Sequence, residues 1–384
     1  MTHKIAIFDT TLRDGEQAAG VCFDVADKLA IARKLEAMRV DVIEAGFPAA
    51  SEAELAAVSA VAAAVGDSTV CALARAVPSD VEAAARALET AAQPRMHVFI
   101  NSSDVQLRQQ LRKERDQVLA QVEDVVAQAH AYVADVEFSP MDATRADPGF
   151  LAELVRVALA AGACTINLPD TVGCALPDQI ADMIRRLRSA VPELVQRTIS
   201  FHGQDDLGLA TANSLAAIAA GAGQVEVAVN GIGERAGNTA FEEVVIALKK
   251  HGPWLGVETD VDATGVYPLS RLVAERSGMA VSDNKAIVGG NAFRHASGIH
   301  QDGVLKARET YECVDPAWVG HPVGTEIVLG KLSGRSGFLA RAAALGYELA
   351  GARAQEAFDA FQVVADRGGV VGDDQIRSIC ASQR

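Results

Sequence analysis

The chain has 384 residues, 49% of them hydrophobic and 22% charged, which is the composition of a globular protein longer than one ordinary domain. Its formal net charge of −15 argues against a nucleic-acid partner, because binding to phosphates requires a basic surface. No apolar run approaches the roughly 20 residues that span a bilayer, the N-terminus lacks a secretory pattern, and six cysteines without C-x-x-C spacing predict a reduced, cytoplasmic protein.

Short β-branched runs alternate with longer, alanine-rich segments of helical periodicity, eight times in succession. The predicted strands cover residues 4–10, 42–47, 69–74, 95–100, 136–139, 165–169, 198–202 and 225–230. The predicted helices cover residues 25–38, 52–64, 79–91, 107–131, 148–160, 177–189, 207–219 and 242–250. Strict alternation of this kind is typical of a parallel (β/α)₈ barrel, also called a TIM barrel. A doubly wound open sheet is the alternative, but no G-x-G-x-x-G motif follows the first predicted strand.

The first predicted strand runs into the sequence FDTTLRDGEQ, residues 8–17. Arg13 and Asp14 stand side by side there, before Gly15, which allows the chain to turn sharply. An arginine next to a carboxylate at the carboxyl end of a strand suits an anionic substrate held beside a metal ion. An ordinary surface ion pair near a turn is the alternative.

Further polar side chains fall at or just after the ends of the other predicted strands. They are Glu44, His97, Ser139, Thr171, His202, Gln204 and Asn230. In barrels of this class, chemistry takes place at the carboxyl ends of the strands. The positions of these residues therefore predict one functional site at that rim.

The segment His202-Gly203-Gln204 ends the seventh predicted strand. Residues two apart on a strand point to the same face, so His202 and Gln204 could bind one metal ion together with Asp14. A hydrogen-bonded core histidine is the alternative for His202. After the eighth strand, a glycine-rich run leads to Asn238, whose side chain offers a neutral oxygen ligand or a helix cap.

The alternating pattern changes after about Trp254. We expect a catalytic barrel over residues 1–255, a linker and subdomain over 256–333, and a short helical subdomain over 334–384. The last of these is predicted to form two helices, 337–344 and 352–367, and a short acidic tail segment. It is too small for a large core of its own, so we expect it to pack on the barrel or on a second subunit.

Five motifs, in order along the chain, together carry a family resemblance. They are FDTTLRDGEQ, FHGQDDLGLATANSLAA, NGIGERAGN, NKAIVGGNAF and HASGIHQDGVLKARETYE. The chain closely resembles the 2-isopropylmalate synthase and homocitrate synthase family from about residue 4 to residue 340. The resemblance implies a (β/α)₈-barrel metalloenzyme that condenses acetyl-CoA with a 2-oxo acid.

The resemblance also implies a role for each matching residue. Asp14 and His202 would bind a divalent metal ion (Mg²⁺, Mn²⁺ or Zn²⁺), with Gln204 and Asn238 completing or flanking the site. Arg13 would polarise the carbonyl group of the oxo acid and stabilise the alkoxide that develops from it.

Other matching positions concern the substrates. His97 and Thr171 match residues that contact the oxo acid, and Ser139 lies beside them. His300 and Tyr311 match residues of the C-terminal region that act in proton transfer at the acetyl methyl group. Because His300 and Tyr311 lie far beyond the last barrel strand, we expect a homodimer in which this region reaches the neighbouring barrel.

Two positions depart from the family pattern. The metal motif of the family is H-x-H, whereas Gln204 occupies the second histidine position here. The family also has a glutamate where this chain has Met141, two residues after Ser139, so one negative charge is lost from the expected substrate site.

These departures leave several alternatives beside the predicted acyltransferase, which would give a 2-substituted malate and CoA. The substrate could be an unusual, more anionic oxo acid, for example one bearing a phosphonate. A metal-dependent aldolase or lyase and an inactive homologue are the other two alternatives.

Overall fold

The computed structural model describes residues 2–382 and confirms the predicted barrel. Within these residues, eight parallel strands each pair with the next, and the first pairs with the last to close the barrel. The strands are β1 (Ala6–Asp9), β2 (Val42–Gly46), β3 (Thr69–Arg75), β4 (Pro94–Asn101), β5 (Asp135–Met141), β6 (Thr165–Asp170), β7 (Thr198–Gly203) and β8 (Gln224–Val227).

A helix follows each strand and covers the outside of the barrel. The helices are α1 (Val25–Ala37), α2 (Glu52–Ala64), α3 (Pro78–Leu88), α4 (Arg115–Tyr132), α5 (Pro148–Ala160), α6 (Pro177–Ala190), α7 (Ala210–Ala219) and α8 (Phe241–Leu255). Side-chain caps start several of them: the carboxylate of Asp24 and the hydroxyl of Ser51 accept backbone N–H groups of α1 and α2. Helices cover the outer face of the sheet, and the packed barrel interior covers its inner face. Strands such as β2 and β6 are therefore buried at every residue.

The predicted helix 107–131 is wrong in its first part. Residues Leu107–Leu111 form a short turn of π-helix, and Arg112 takes a left-handed conformation with φ of 53°. A new helix, α4, then starts at Arg115, and the side chain of Gln117 accepts the N–H of Glu114 at 3.0 Å. The sequence contains no glycine or proline at this break, so composition gave no signal for it.

The chain divides into two compact units between Ala280 and Val281. The first unit holds the barrel and one further helix, α9 (Val266–Ser277). The second contains two short parallel strands, Arg294–His295 and Glu326–Ile327. Its helices are α10 (Gly298–Lys306), α11 (Arg335–Ala344), α12 (Gly351–Ala365) and α13 (Asp373–Ala381). The threefold division predicted from the sequence stays a prediction.

The last helix, α13, forms where only an acidic tail segment was expected. Ile376 and Cys380 are buried on one face and join a small core with Phe338 and Phe361. The acidic residues that suggested a tail lie in the first turn, where negative charge favours a helix. The final two residues of the predicted subdomain lie outside the described range. Within that range, no helix has both the length and the apolar character needed to cross a membrane.

Candidate active site

The turn after β1 places Arg13 and Asp14 at the carboxyl rim of the barrel. The carbonyl oxygen of Thr10 accepts the N–H groups of both Arg13 (3.1 Å) and Gly15 (3.0 Å), which fixes the turn. The guanidinium of Arg13 then donates to Glu44 Oε2 at 2.6 Å and to Asp14 Oδ2 at 2.9 Å. Arg13 is therefore held between two carboxylates rather than lying in a surface ion pair.

The charges of this group are strongly fixed. Burial alone would raise the pKa of Glu44, but Arg13 and the hydrogen bond from His97 lower it to about 2. Burial also opposes the charge on Arg13, yet attraction to Glu44, Asp14 and Glu226 raises its pKa above the ordinary value. Arg13 is thus a permanent cation at the rim.

A hydrogen-bonded chain leads from Glu44 to a hydroxyl group in the cavity. His97 Nδ1 lies 2.8 Å from Glu44 Oε1, and His97 Nε2 lies 2.6 Å from Ser139 Oγ. Burial disfavours a charge on His97, but its hydrogen bond and attraction to Glu44 raise its pKa above the usual value. Asn167 Nδ2 also donates to Ser139 Oγ, at 2.8 Å. When His97 is protonated on both ring nitrogens, Ser139 Oγ accepts from His97 and from Asn167, and its own O–H is then left to donate to a ligand.

The hydroxyl group of Thr171 also accepts a hydrogen bond from the protein. Thr171 Oγ1 accepts the backbone N–H of Asp142 at 2.9 Å, and among the described residues no acceptor is recorded for its own O–H. Asp142 is itself held by Ser103 and Arg145. Ser139 and Thr171 thus present two hydroxyl donors on neighbouring strand ends.

The predicted metal ligands converge on one point. Gln204 Nε2 lies 3.3 Å from Asp14 Oδ2, 3.1 Å from His202 Nε2 and 3.1 Å from Asn238 Oδ1. Asn238 Nδ2 donates to Asp14 Oδ1 at 2.9 Å. On the far side of the ring, His202 Nδ1 lies 2.7 Å from Glu226 Oε2, an arrangement that leaves Nε2 as an electron-pair donor.

The same neighbours set the protonation of these ligands. Burial alone would raise the pKa of Asp14, but Arg13, His202 and the N–H donor of Asn238 lower it below its usual value. Burial alone would lower the pKa of His202, but attraction and hydrogen bonding to Glu226 raise it. Asp14 is consequently an anion at neutral pH.

This donor set fits a divalent cation. A carboxylate, an imidazole nitrogen and amide oxygens are ligands that hard or intermediate divalent ions accept. Among the described residues, the buried Oε1 of Gln204 has no hydrogen-bond partner, so it is an oxygen that a cation could satisfy.

Two deeper clusters have less suitable surroundings. One contains Glu44, Cys71 and His97, and the other contains His97, Glu137 and Glu226. Arg13 donates to Glu44, and Arg95 donates to Glu137 at 3.0 Å. Both ring nitrogens of His97, which the two clusters share, are also engaged, by Glu44 and by Ser139, so neither cluster offers an unoccupied imidazole nitrogen.

The predicted barrel residues other than Glu44, Asn230 and Asn238 line one cavity of about 210 Å³ at the rim. One wall of this cavity is apolar and comes from four consecutive strands, β3 to β6. It consists of Leu73, Phe99, Met141 and Pro169. The cavity therefore combines charged and hydroxyl groups with an apolar side.

Sequence reasoning missed several members of the site and included one residue that serves elsewhere. Glu226, Asn167 and Phe99 were not singled out, although each lies at an inward position of a predicted strand and alternation could have indicated them. Asn230 instead exchanges hydrogen bonds with Ser270. It supports the first unit and does not line the cavity.

His300 and Tyr311 belong to the second unit, where the structure brings them together. Their rings stack with centroids 4.0 Å apart and planes inclined by 19°. Both residues are exposed, Tyr311 by 42%. Nearby, His295 Nε2 lies 3.1 Å from Glu312 Oε1.

Comparison with known proteins finds matches along most of the chain. The family model HMGL-like matches residues 4–273, and the model described as homocitrate synthase post-HMGL domain-like matches residues 287–369. A 2-isopropylmalate synthase of Syntrophus aciditrophicus is 49% identical over 98% of this chain and 73% of its own length. One from Pyrococcus abyssi is 50% identical over 98% of this chain and 77% of its own length.

Solved structures support the fold alone. The HMG-CoA lyase of Bacillus subtilis superposes with a TM-score of 0.61 at 22% identity, over 73% of this chain and 97% of that one. The hydroxymethylglutaryl-CoA lyase of Pseudomonas aeruginosa gives 0.60 at 23% identity, over 73% and 94%. The family models and the curated relatives show that the chain belongs to the 2-isopropylmalate synthase and homocitrate synthase family of HMGL-like barrel enzymes, and that it is an enzyme of the acyltransferase class.

Proposed function

We propose that this enzyme condenses acetyl-CoA with a small 2-oxo acid that carries an apolar side chain, giving a 2-substituted malate and free CoA. The family relationship supports the general reaction, acetyl-CoA as co-substrate and a divalent metal. The observation that carries the proposal is the rim cavity, whose lining combines Arg13 and the hydroxyl groups of Ser139 and Thr171 with four apolar side chains.

The polar groups suit the acid end of the substrate. The O–H groups of Ser139 and Thr171 would donate to its carboxylate, and Arg13 would lie beside its carbonyl oxygen. Because Glu44 holds Arg13 at 2.6 Å, the guanidinium needs little reorganisation when negative charge develops on that oxygen.

Asp14, His202, Asn238 and the Oε1 atom of Gln204 would hold the divalent metal. We propose Mg²⁺ or Mn²⁺ rather than Zn²⁺, because oxygen donors outnumber the single imidazole. When bound, such an ion supplies Lewis acidity at the carbonyl of the oxo acid.

The remaining chemistry requires a base. The acetyl methyl group loses a proton, the resulting carbon nucleophile attacks the carbonyl carbon, and the former carbonyl oxygen becomes an alkoxide beside Arg13. Water then hydrolyses the thioester and releases CoA. We propose His300 and Tyr311 as the proton-transfer pair, supplied by the partner subunit of a homodimer.

The apolar wall bears on the identity of the substrate. Leu73, Phe99, Met141 and Pro169 offer an aliphatic side chain a dry surface, worth about 25 cal/mol per Å² buried. The loss of a glutamate at position 141 predicted a substrate with an additional anionic group. Arg235, a cation that lines the cavity and could bind such a group, already donates to Asp206 at 2.9 Å. We therefore favour an aliphatic oxo acid over a phosphonate-bearing one.

The test is release of CoA from acetyl-CoA with a panel of 2-oxo acids. CoA should be followed by chromatography, because Cys22, Cys174 and Cys313 are exposed and would react with thiol reagents. We expect release with 2-oxoisovalerate or another aliphatic acid, and loss of it in Arg13→Ala. Preference for a phosphonate-bearing acid would contradict the proposed side-chain class, and cleavage without a thioester would indicate an aldolase or lyase. Absence of turnover with every acid would contradict the proposed function and favour the alternative that the protein is an inactive homologue.

A further inference from the structure

The amide of Gln204 has an unusual set of neighbours. Its nitrogen lies within 3.3 Å of three acceptor atoms, on Asp14, His202 and Asn238. An amide nitrogen carries two hydrogens, so it cannot satisfy three acceptors at once. The oxygen of the same amide is buried and, among the described residues, has no hydrogen-bond partner.

Two of the three acceptors are fixed by the hydrogen bonds of their own side chains, and the third, Asp14 Oδ2, is a carboxylate oxygen that can only accept and already accepts from Arg13. In the neutral imidazole, Nδ1–H of His202 donates to Glu226, so Nε2 must accept. The Nδ2 atom of Asn238 donates to Asp14 and to the carbonyl oxygen of Ile232 at 3.0 Å, so Oδ1 must also accept. Three electron-pair donors therefore converge on one point, which is unfavourable unless a positive centre or an N–H donor lies there.

We propose that the N–H group of the Gln204 amide and a divalent cation are alternative partners of these three acceptors, and that the cation enters as the amide turns over. In one orientation Nε2 donates to the acceptors. In the other, Oε1 joins them as a fourth oxygen or nitrogen ligand to the ion. The inference rests on the cation site of the proposed function.

The turnover needs little movement of the protein. The backbone of Gln204 is held by a bridge to Asn238 and by its N–H, which donates to the carbonyl oxygen of Asp170 at 3.3 Å. Rotation about the terminal torsion of glutamine exchanges nitrogen and oxygen without moving that backbone, and this torsion is broad and roughly two-fold.

Two consequences distinguish this arrangement from an ordinary ligand. The site keeps its shape without an ion, because the amide holds the acceptors together. The ion must also displace the hydrogen bonds that Nε2 of Gln204 donates to the acceptors. Its affinity is therefore lowered by the stability of the orientation in which Nε2 faces them.

The test uses Gln204→Glu, which keeps the shape of the side chain but removes its N–H donors. In EDTA we expect the variant to unfold at least about 3 °C below the wild type, because a second carboxylate then faces Asp14. With Mn²⁺ we expect at least about a tenfold tighter dissociation constant than in the wild type, measured by equilibrium dialysis. The exposed Gln109→Glu changes net charge equally and should match the wild type in both measurements.

A second variant covers the case in which Gln204→Glu does not fold. Gln204→His has no side-chain amide that could rotate, so it should also bind Mn²⁺ more tightly than the wild type. Equal Mn²⁺ affinity in the wild type and the variants that fold would overturn the proposal. Neither measurement requires turnover, so an enzyme that fails to release CoA but shows these differences would count against the proposed function alone.

Discussion

At the scale of single residues, Ser139 is the cavity-lining end of a hydrogen-bonded chain that starts at the buried carboxylate of Glu44 and passes through His97. Asn167 donates to its oxygen, and His97 protonated on both ring nitrogens does the same, which orients its O–H away from them. A hydrogen bond to a charged partner contributes about 1.5–3 kcal/mol. We therefore expect Ser139→Ala to raise KM for the 2-oxo acid by about tenfold or more while changing KM for acetyl-CoA little.

Ser200→Ala is the matched control for that measurement. Ser200 is also a buried strand serine and accepts from Gln224 Nε2 at 2.9 Å, but it does not line the cavity. Its substitution should lower stability without changing KM. Equal KM changes in the two variants would mean that Ser139 acts through the fold.

Asp9 gives a prediction about pH. Burial raises its pKa to about 7, against hydrogen bonds from the N–H and hydroxyl of Thr11 that lower it. Because the folded value lies above the unfolded value of 3.8, the folded state keeps this proton longer. The free energy of unfolding should therefore fall as pH rises between those two values, by about 1.4 kcal/mol per pH unit.

Asp9→Asn imitates the protonated group and should remove this dependence. Urea unfolding at pH 5 and pH 7 measures it: the loss of stability over that interval should be smaller in the variant by roughly 2 kcal/mol. Identical losses in the two proteins would show that Asp9 keeps an ordinary pKa.

At the scale of elements, the loop after β8 determines whether the proposed metal ligands meet. A Cβ atom at Gly233 would overlap Nδ2 of Asn238 and lie 2.9 Å from Asp14 Oδ1. We expect Gly233→Ala to displace both side chains and to weaken Mn²⁺ binding at least about tenfold, measured by equilibrium dialysis. A Cβ at Gly66 would meet open space, so Gly66→Ala should bind Mn²⁺ as the wild type does.

The elements themselves were largely predictable, because eight buried β-branched runs alternate with amphipathic segments. The rim positions of Arg13 and His202 followed from that alternation. The break at Arg112 did not, since it depends on a left-handed residue without a glycine signal. Helix α13 was missed because its stability comes from packing of Ile376 and Cys380 rather than from local sequence.

The orientation of Gln204 was beyond prediction for a related reason. The sequence placed it on the face of His202, which the structure confirms. Whether its nitrogen or its oxygen points inward depends on donors and acceptors from the turn after β1, from β7 and from the loop after β8, which only the closed barrel brings together.

At the scale of the whole molecule, the two compact units coincide closely with the two family models. The contact pattern divides the chain between Ala280 and Val281, and the models match residues 4–273 and 287–369. The chain spans 73% to 77% of the two relatives described above. Arg13 lies in the first unit and the His300–Tyr311 pair in the second, so the proposed reaction needs groups from both units.

The proposed homodimer makes a quantitative prediction about those groups. If each active site combines the barrel of one subunit with His300 of the other, a heterodimer of Arg13→Ala and His300→Ala contains one intact site. Random pairing of equal amounts gives half heterodimers, so activity should recover to roughly a quarter of the wild-type value. The variants should be mixed under conditions that exchange subunits and assayed for CoA release, with each variant alone as control. Sites that are complete within one subunit cannot recover, because every barrel would then lack one of the two groups, and a monomer at all concentrations in sedimentation would equally contradict the prediction.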